Sequence, residues 1–365
     1  LIKVLVVDDS ALVRKLLGQA FAGEGDFEVA FARDGVAALA ELARFNPDVV
    51  TLDVNMPLMD GLACLDRIMI ERPCPVVMVS SATGEGAEAT LEALRLGAVD
   101  FVAKPDGAMS LQIEAWIPTL LRTVRTAAGA KPRLSRRLRE RVRHRMRGSA
   151  PAGLAPPAAP RLAAEAAPIE GLAHGLVLVG ASTGGPPALE TLLRALPSSF
   201  PWPILVAQHM PVAFTGPFAK RLDGLCALSV AEVGAPVRLR PGAVHIGRGN
   251  ADLVVTRRSG ELFAMAAPAQ PGYPWHPSVD RLVRSAMEQA PASRLVGLLL
   301  TGMGTDGADA MAAMRHAGGR TIAEAEETAV VWGMPGSLAR LGGADRILPL
   351  PRIADCLIRW TAKMD

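Results

Sequence analysis

Leu176-Val177-Leu178-Val179-Gly180-Ala181-Ser182-Thr183-Gly184-Gly185-Pro186 runs from an unbroken apolar stretch through a glycine-rich turn to a proline. Apolar residues without polar alternation suit a strand buried on both faces, as in a parallel sheet covered by helices. Glycines let the backbone bend sharply, and proline is well placed in the first turn of a helix. The stretch therefore reads as strand, tight turn and helix, with Ser182 on the turn. Downstream, residues 204–207, 244–246, 253–255 and 295–300 read as strands, and residues 188–195 and 306–316 as helices. Upstream, apolar runs at 4–7, 49–52, 75–79 and 101–102 alternate with helix-period segments such as 11–22 and 36–45. Such alternation means parallel strands with crossover helices on both faces. The expected class is α/β, with two doubly wound domains over residues 1–121 and 173–365.

Between them the composition changes. Arg122, Arg125, Lys131, Arg133, Arg136, Arg137, Arg139, Arg141, Arg143, Arg145 and Arg147 are opposed in that stretch only by Glu140, and residues 150–168 are rich in Pro and Ala. No packed element can be read in the Pro/Ala segment, so residues 122–172 are assigned to a basic, then Pro/Ala-rich, flexible linker. The basic run has the charge to bind nucleic acid or anionic lipid. No aromatic is interleaved for base stacking, so a solvated tether is preferred and no nucleic-acid partner is expected.

Half of the 365 residues are hydrophobic and only 4% are aromatic, which suits cores built from Val, Leu, Ile and Ala. The net charge of +3 excludes little by itself. Cys64, Cys74, Cys226 and Cys356 form no C-x-x-C pair and no Cys/His metal spacing, so free thiols in a reducing compartment are expected. The chain opens on strand-like residues 1–7, so no signal peptide is expected, and its apolar runs are too short to span a membrane. A cytoplasmic monomer without membrane insertion is the expectation.

In doubly wound sheets the reacting groups sit at the carboxyl ends of strands. Asp8 and Asp9 end the first strand, Asp53 the next apolar run, Ser80 and Ser81 a third, and Lys104 a fourth. Clustered carboxylates repel unless a cation joins them, and a hard divalent ion such as Mg²⁺ suits oxygen ligands. Asp53 can then accept a phosphoryl group as an acyl phosphate, with Lys104 pairing the added charge and the Ser80 hydroxyl bonding a phosphoryl oxygen. With V-D-D-S-A-L at 7–12, L-D-V-N-M-P-L-M-D-G at 52–61 and F-V-A-K-P at 101–105, residues 1–121 resemble a bacterial response-regulator receiver domain. The resemblance implies a flavodoxin-like fold with a parallel five-stranded sheet. It implies phosphorylation of Asp53 by a sensor histidine kinase. It also implies Mg²⁺ on Asp9, Asp53 and the Asn55 backbone carbonyl with Asp8 assisting, Ser80 as the switch hydroxyl and Phe101 at the aromatic switch position.

In the second domain, Ser182 needs a base before it can act as a nucleophile. His209 follows the 204–207 strand, and Asp306 lies in Thr301-Gly302-Met303-Gly304-Thr305-Asp306-Gly307 after the 295–300 strand. All three fall at strand carboxyl ends and can meet as nucleophile, base and orienting acid. The Met303 backbone N–H, in a glycine-flanked loop, is a candidate oxyanion donor. Alternatives stay open on spacing alone. G-x-S-x-G also marks the α/β-hydrolase elbow, which requires the order Ser, Asp, His. His316 reads as mid-helix surface and His245 as structural. His276 lies in a loop before a helix capped by Ser278, free to line a cleft. Glycines of this kind also cradle phosphates in nucleotide sites, but the pattern is neither G-x-G-x-x-G nor a P-loop, and no Lys-Ser/Thr follows.

G-A-S-T-G-G at 180–185, Q-H-M-P at 208–211, H-P-S-V-D at 276–280, L-T-G-M-G-T-D-G at 300–307 and V-V-W-G-M-P at 330–335 resemble the catalytic domain of the chemotaxis protein-glutamate methylesterases. The resemblance implies a Rossmann-like domain with Ser182 as nucleophile, His209 as base and Asp306 as orienting acid, and with Thr183 and Met303 in the active-site set. It implies phosphorylation-activated hydrolysis of γ-glutamyl methyl esters on chemoreceptor cytoplasmic helices, with no cofactor, and deamidation of receptor glutamines. One departure stands out. The family commonly reads H-R-P-S-V-D, whereas here Trp275 and His276 occupy the first two positions, so no substrate role carries over to His276. A different class, a receiver-regulated binding adaptor without catalysis, is the alternative.

Overall fold

The computed structural model describes residues 1–81, 83–105, 109–130 and 175–362. The chain divides into two compact units, Leu1–Pro157 and Ala158–Asp365. Most of the segment assigned to the linker, residues 131–172, lies outside the described residues.

The first unit alternates β1 (Ile2–Val7), α1 (Ala11–Glu24), β2 (Phe27–Ala32), α2 (Gly35–Phe45), β3 (Val49–Asp53), α3 (Gly61–Glu71), β4 (Val76–Ser80), α4 (Gly84–Leu96), β5 (Asp100–Ala103) and α5 (Met109–Ala128). Its sheet has the order β2-β1-β3-β4-β5, with every pairing parallel. β3 and β4 are buried along their whole length, which is why their sequences show no alternation. Ser10, Asp34, Asp60 and Thr83 each accept a backbone N–H from the first turn of the helix that follows, so the sequence sets where four of the helices begin. The strand order reverses between β1 and β3, opening a crevice at their carboxyl ends where Asp8, Asp9 and Asp53 stand.

α5 continues to Ala128, so Arg122 and Arg125, read with the basic segment, belong to this helix. Arg125 lies 2.6 Å from Glu24 and 2.8 Å from Asp26, with its guanidinium 4.9 Å from the Phe27 ring. Composition at residue 122 registered charge, but the helix continues, and Arg125 finds its partners across the fold.

The second unit comprises β6 (Leu176–Ala181), α6 (Gly185–Arg194), β7 (Ile204–Gln208), α7 (Val212–Asp223), β8 (Ser229–Val233), β9 (Val237–Arg238), β10 (Ala243–Gly247), β11 (Ala251–Arg258), β12 (Glu261–Pro268), α8 (Val279–Gln289), β13 (Leu295–Leu299), α9 (Ala308–His316), β14 (Arg320–Glu324), α10 (Met334–Arg340), β15 (Arg346–Leu348) and α11 (Leu350–Thr361). Seven strands form a parallel sheet in the order β15-β14-β13-β6-β7-β10-β8. The expected strand at 253–255 lies instead within β11 of a separate antiparallel sheet, β11-β12-β9. The helix expected from residue 306 begins at Ala308, because Gly307 holds φ at +87° and leaves Asp306 in the preceding loop.

Two glycines bring α8 against the sheet. A methyl group on Gly180 would lie 2.6 Å from Val279 Cγ1 and 2.7 Å from Leu299 Cδ2. One on Gly307 would lie 2.5 Å from Val279 Cγ1. The first residue of α8 thus seats in a notch that only glycine leaves open. Gly180→Ala is expected to overpack this notch and destabilise the second unit by about 1–3 kcal/mol, read as a lower midpoint in calorimetric unfolding.

Among the described residues, no helix is long and apolar enough to cross a membrane. All four cysteines are free, and burial pushes the Cys64 and Cys74 thiols up to about 12.

Candidate functional site

In the first unit, the carboxylates of Asp8, Asp9 and Asp53 have ligand atoms all within 4.8 Å of one another. Asp8 and Asp53 are buried and Asp9 is exposed, so the cluster opens to solvent on one side. The Lys104 ammonium bridges the two buried carboxylates, 3.0 Å from Asp8 Oδ2 and 2.8 Å from Asp53 Oδ2. Burial raises the Asp53 carboxyl above its ordinary value, only partly offset by Lys104, and Asp8 adds to the rise. Burial also works against the Lys104 charge, but Asp53 and Asp8 outweigh it and hold the ammonium above its usual value. Three acidic oxygen donors that destabilise one another form a donor set suited to a hard divalent cation.

The Ser80 hydroxyl, at the end of β4, donates to the Gly86 carbonyl of α4 at 3.2 Å. It therefore faces the first turn of that helix here. Phe101 lies half-buried on β5, and the carbonyl of Ala103, two residues on, accepts a 2.7 Å bond from the Trp116 indole on α5. Asn55 is exposed two residues beyond Asp53.

In the second unit, Ser182 follows β6, His209 follows β7, and Asp306 lies in the loop after β13. The strand order β13-β6-β7 makes these three neighbours at the carboxyl edge of the sheet. Ala181 pairs with Gln208, so the next step in register sets Ser182 opposite His209, on strands about 4.8 Å apart. Gln208 fastens this pairing, because its side-chain amide donates to the carbonyls of both Ser182 and His209 at 3.0 Å. Gly185 must be glycine for that amide to fit, since a methyl group there would overlap the Gln208 side chain.

Asp306 is the most heavily bonded side chain of the site. Its Oδ2 accepts from His209 Nε2 and from the Val279 N–H, each at 2.8 Å. Its Oδ1 accepts from the Ser278 hydroxyl and the Asp280 N–H, each at 3.0 Å. Three of the four donors are the capping residue and first two residues of α8, where unpaired N–H groups favour an anion. Burial opposes the charge, but the His209 bond and the helix N–H groups prevail and hold this carboxyl below its ordinary value. An ionised carboxylate can only accept, so His209 Nε2 carries the hydrogen, and in the neutral imidazole Nδ1 then carries the lone pair. That Nδ1 is buried and has no hydrogen-bond partner. Geometry therefore joins Asp306 to His209 directly and sets Ser182 opposite His209 in register, without a bond from its hydroxyl to Nδ1.

The loop carrying Met303 packs on the serine. A methyl group on Gly302 would lie 2.8 Å from Ser182 Cβ, and the Ser182 N–H donates to the Thr301 carbonyl at 3.0 Å. Thr183 is buried, and its carbonyl accepts the Thr301 hydroxyl at 2.9 Å. Thr301 is held in turn by the buried Glu324, whose Oε2 accepts its N–H at 2.8 Å.

The competing histidines fall elsewhere. His245 is buried on β10, where desolvation lowers it to about 4 and keeps it neutral. His316 is exposed on α9 with Nδ1 3.2 Å from the Ala312 carbonyl of its own helix. His276 pairs with the fully buried Asp252, with Nδ1 3.0 Å from Oδ1. Trp275 instead lies against His209, with ring centroids 5.1 Å apart and planes 10° from parallel. Sequence reading missed this stack, the Gln208 fastening and the anchoring of Asp306 by α8. The Ser278 cap was legible, but nothing local ties it to a residue 28 positions on.

Fold and site together define a receiver domain joined to an α/β hydrolytic domain. Family models agree in both halves: the response regulator receiver domain matches residues 4–114, and CheB methylesterase matches residues 177–357. A protein-glutamate methylesterase/protein-glutamine glutaminase 2 of Rhodopseudomonas palustris (strain BisB18) is 56% identical, covering 99% of this chain and 98% of that one. A protein-glutamate methylesterase/protein-glutamine glutaminase 3 of Rhodospirillum rubrum is 50% identical, over 99% of this chain and 96% of its own. Among solved structures, the Thermotoga maritima CheB methylesterase catalytic domain is 38% identical and covers 51% of this chain and 97% of that chain, with a TM-score of 0.49. The chain belongs to the family of protein-glutamate methylesterases/protein-glutamine glutaminases.

Proposed function

We propose that the second unit hydrolyses γ-glutamyl methyl esters on the cytoplasmic helices of chemoreceptors, and deamidates glutamines there, under control of phosphorylation at Asp53. The observation that carries the catalytic half is the state of His209. Its Nε2 is committed to an ionised Asp306 at 2.8 Å, and its Nδ1 keeps a buried lone pair with nothing to bind, on the residue opposite Ser182 in register. A buried acceptor without a donor is costly, and the Ser182 hydroxyl is the donor a small rotation would supply.

In this reading Ser182 Oγ bonds to the ester carbonyl carbon as its proton passes to His209 Nδ1. The carbonyl π pair moves onto oxygen, where we assign the backbone N–H groups of Thr183 and Met303 as donors. Collapse breaks the bond to the methoxy group, which leaves as methanol with the proton from Nδ1. Water then gives its proton to the same nitrogen, attacks the acyl carbon and releases glutamate, returning the proton to Ser182. A glutamine follows the same path with ammonia as the leaving group.

In the receiver, Asp9, Asp53 and the Asn55 carbonyl would hold Mg²⁺ with Asp8 assisting; the fit rests on the three clustered carboxylates. The ion supplies charge neutralisation for phosphoryl transfer from a sensor histidine kinase to Asp53. Lys104, already 2.8 Å from Asp53, would pair the added charge. The Ser80 hydroxyl would leave Gly86 to bond the phosphoryl group, freeing the first turn of α4, and Phe101 would move with it. No observation favours the adaptor alternative.

Methanol release from isolated methylated receptors tests the whole reading. Acetyl phosphate with Mg²⁺ is expected to raise the rate severalfold in the unaltered chain and to leave Asp53→Asn at its basal rate. Equal stimulation of Asp53→Asn would reject Asp53 as the acceptor, and no methanol from either protein would reject the esterase.

A further inference from the structure

We infer that Trp275 is a positioning residue for the base, holding the plane of the His209 imidazole and stabilising its cationic form. The inference rests on His209 being that base. A single hydrogen bond from Nε2 to Asp306 fixes one point of the ring's edge and leaves the plane free to rock about that bond. The indole, 5.1 Å away and 10° from parallel, removes this freedom by covering one face. When Nδ1 takes the serine proton the ring becomes a cation, and an aromatic face attracts a cation most strongly where water is scarce. Trp275 is half-buried and lines a groove beside Asp306 with Tyr273, Arg284 and Thr305.

The indole is itself held. His276 bonds the buried Asp252 at 3.0 Å, and the same carboxylate oxygen accepts the Ser278 N–H at 2.8 Å. The other Asp252 oxygen accepts from Arg281 on α8. Residues 276–278 are thereby pinned to the start of α8, which also grips Asp306. One helix end mounts both the partner on the edge of the imidazole and the partner on its face. His276 serves this mounting through Asp252.

The test is steady-state methanol release by the full chain carrying Trp275→Ala, Trp275→Phe or His209→Gln, with unfolding midpoints measured alongside. Trp275→Ala is expected to lower kcat about tenfold, between the sizes of an exposed and a fully desolvated cation–ring contact, with KM changed less than about twofold. Trp275→Phe keeps a stacking face and is expected to recover most of that loss. A folded Trp275→Ala that keeps kcat and raises only KM makes Trp275 a substrate wall and overturns the inference. So does a folded Trp275→Phe no faster than Trp275→Ala. Full activity in His209→Gln would instead remove the base on which the inference rests. If Trp275→Ala does not fold, Trp275→Phe decides, since wild-type KM with kcat within a few fold supports stacking and an unchanged kcat with raised KM overturns it.

Discussion

Ser182→Ala is expected to reduce ester hydrolysis by on the order of 10⁴-fold or more while leaving the fold unchanged. The exchange removes one hydroxyl from a half-buried position. The bonds that shape the turn are made by the backbone: the Ser182 N–H donates to Thr301 at 3.0 Å, and its carbonyl accepts from Gln208 at 3.0 Å. Both survive in alanine, so the calorimetric midpoint should match that of the unaltered chain. The acyl-enzyme route disappears, leaving only what the oxyanion donors and substrate binding contribute to direct attack by water. A serine-directed fluorophosphonate should label the unaltered chain and not the variant. Turnover within tenfold of the original, in a folded Ser182→Ala, would remove Ser182 from the mechanism.

Asp306→Asn should be nearly as damaging and should also weaken the fold. Four donors converge on Asp306: His209 Nε2, the Ser278 hydroxyl and the N–H groups of Val279 and Asp280. An amide offers one oxygen and turns its NH₂ toward the rest. At least one buried donor then loses its acceptor, at about 1–3 kcal/mol. If that donor is His209 Nε2, the imidazole is driven to the opposite tautomer, with hydrogen on Nδ1 and no lone pair facing the serine. The rate should fall on the order of 10⁴-fold, as for an equivalent exchange in a serine protease triad. Acid provides a second readout. Because this carboxyl is held below its ordinary value, its contribution to stability is complete above the unfolded aspartate value, about 3.9, and is lost as pH falls through the folded one. Asp306→Asn lacks that contribution at every pH, so the gap between the two unfolding midpoints should narrow below about pH 4. A constant gap would mean that the carboxylate charge plays no part in holding α8.

Much of this arrangement was legible in the chain. Strand ends at Asp9, Asp53, Ser80, Ser182 and His209 could be read because buried parallel strands carry unbroken apolar runs and stop at a polar residue. What escaped reading lacks that contrast. β12, Glu261–Pro268, is mostly half-exposed, and β15 spans three residues, of which none is fully buried. The antiparallel β11-β12-β9 sheet is assembled by pairings that no local pattern announces. Asp306 looked helical because Ala and Met dominate the residues after it, and only the left-handed Gly307 separates it from α9. The His209–Trp275 stack joins residues 66 positions apart, and its geometry depends on how the start of α8 meets the sheet.

The clasp that Arg125 makes on Glu24 and Asp26 bears on where the molecule can be divided. A receiver fragment ended at residue 121, where composition first turns basic, would discard the last seven residues of α5 and the guanidinium that pins this helix to the loop between α1 and β2. A fragment ended at Ala130 keeps both, and with them Val124 and Ala127, whose side chains are fully enclosed. Anyone seeking the phosphoacceptor half by itself should therefore cut after the arginine that looks like tether and behaves as a rivet.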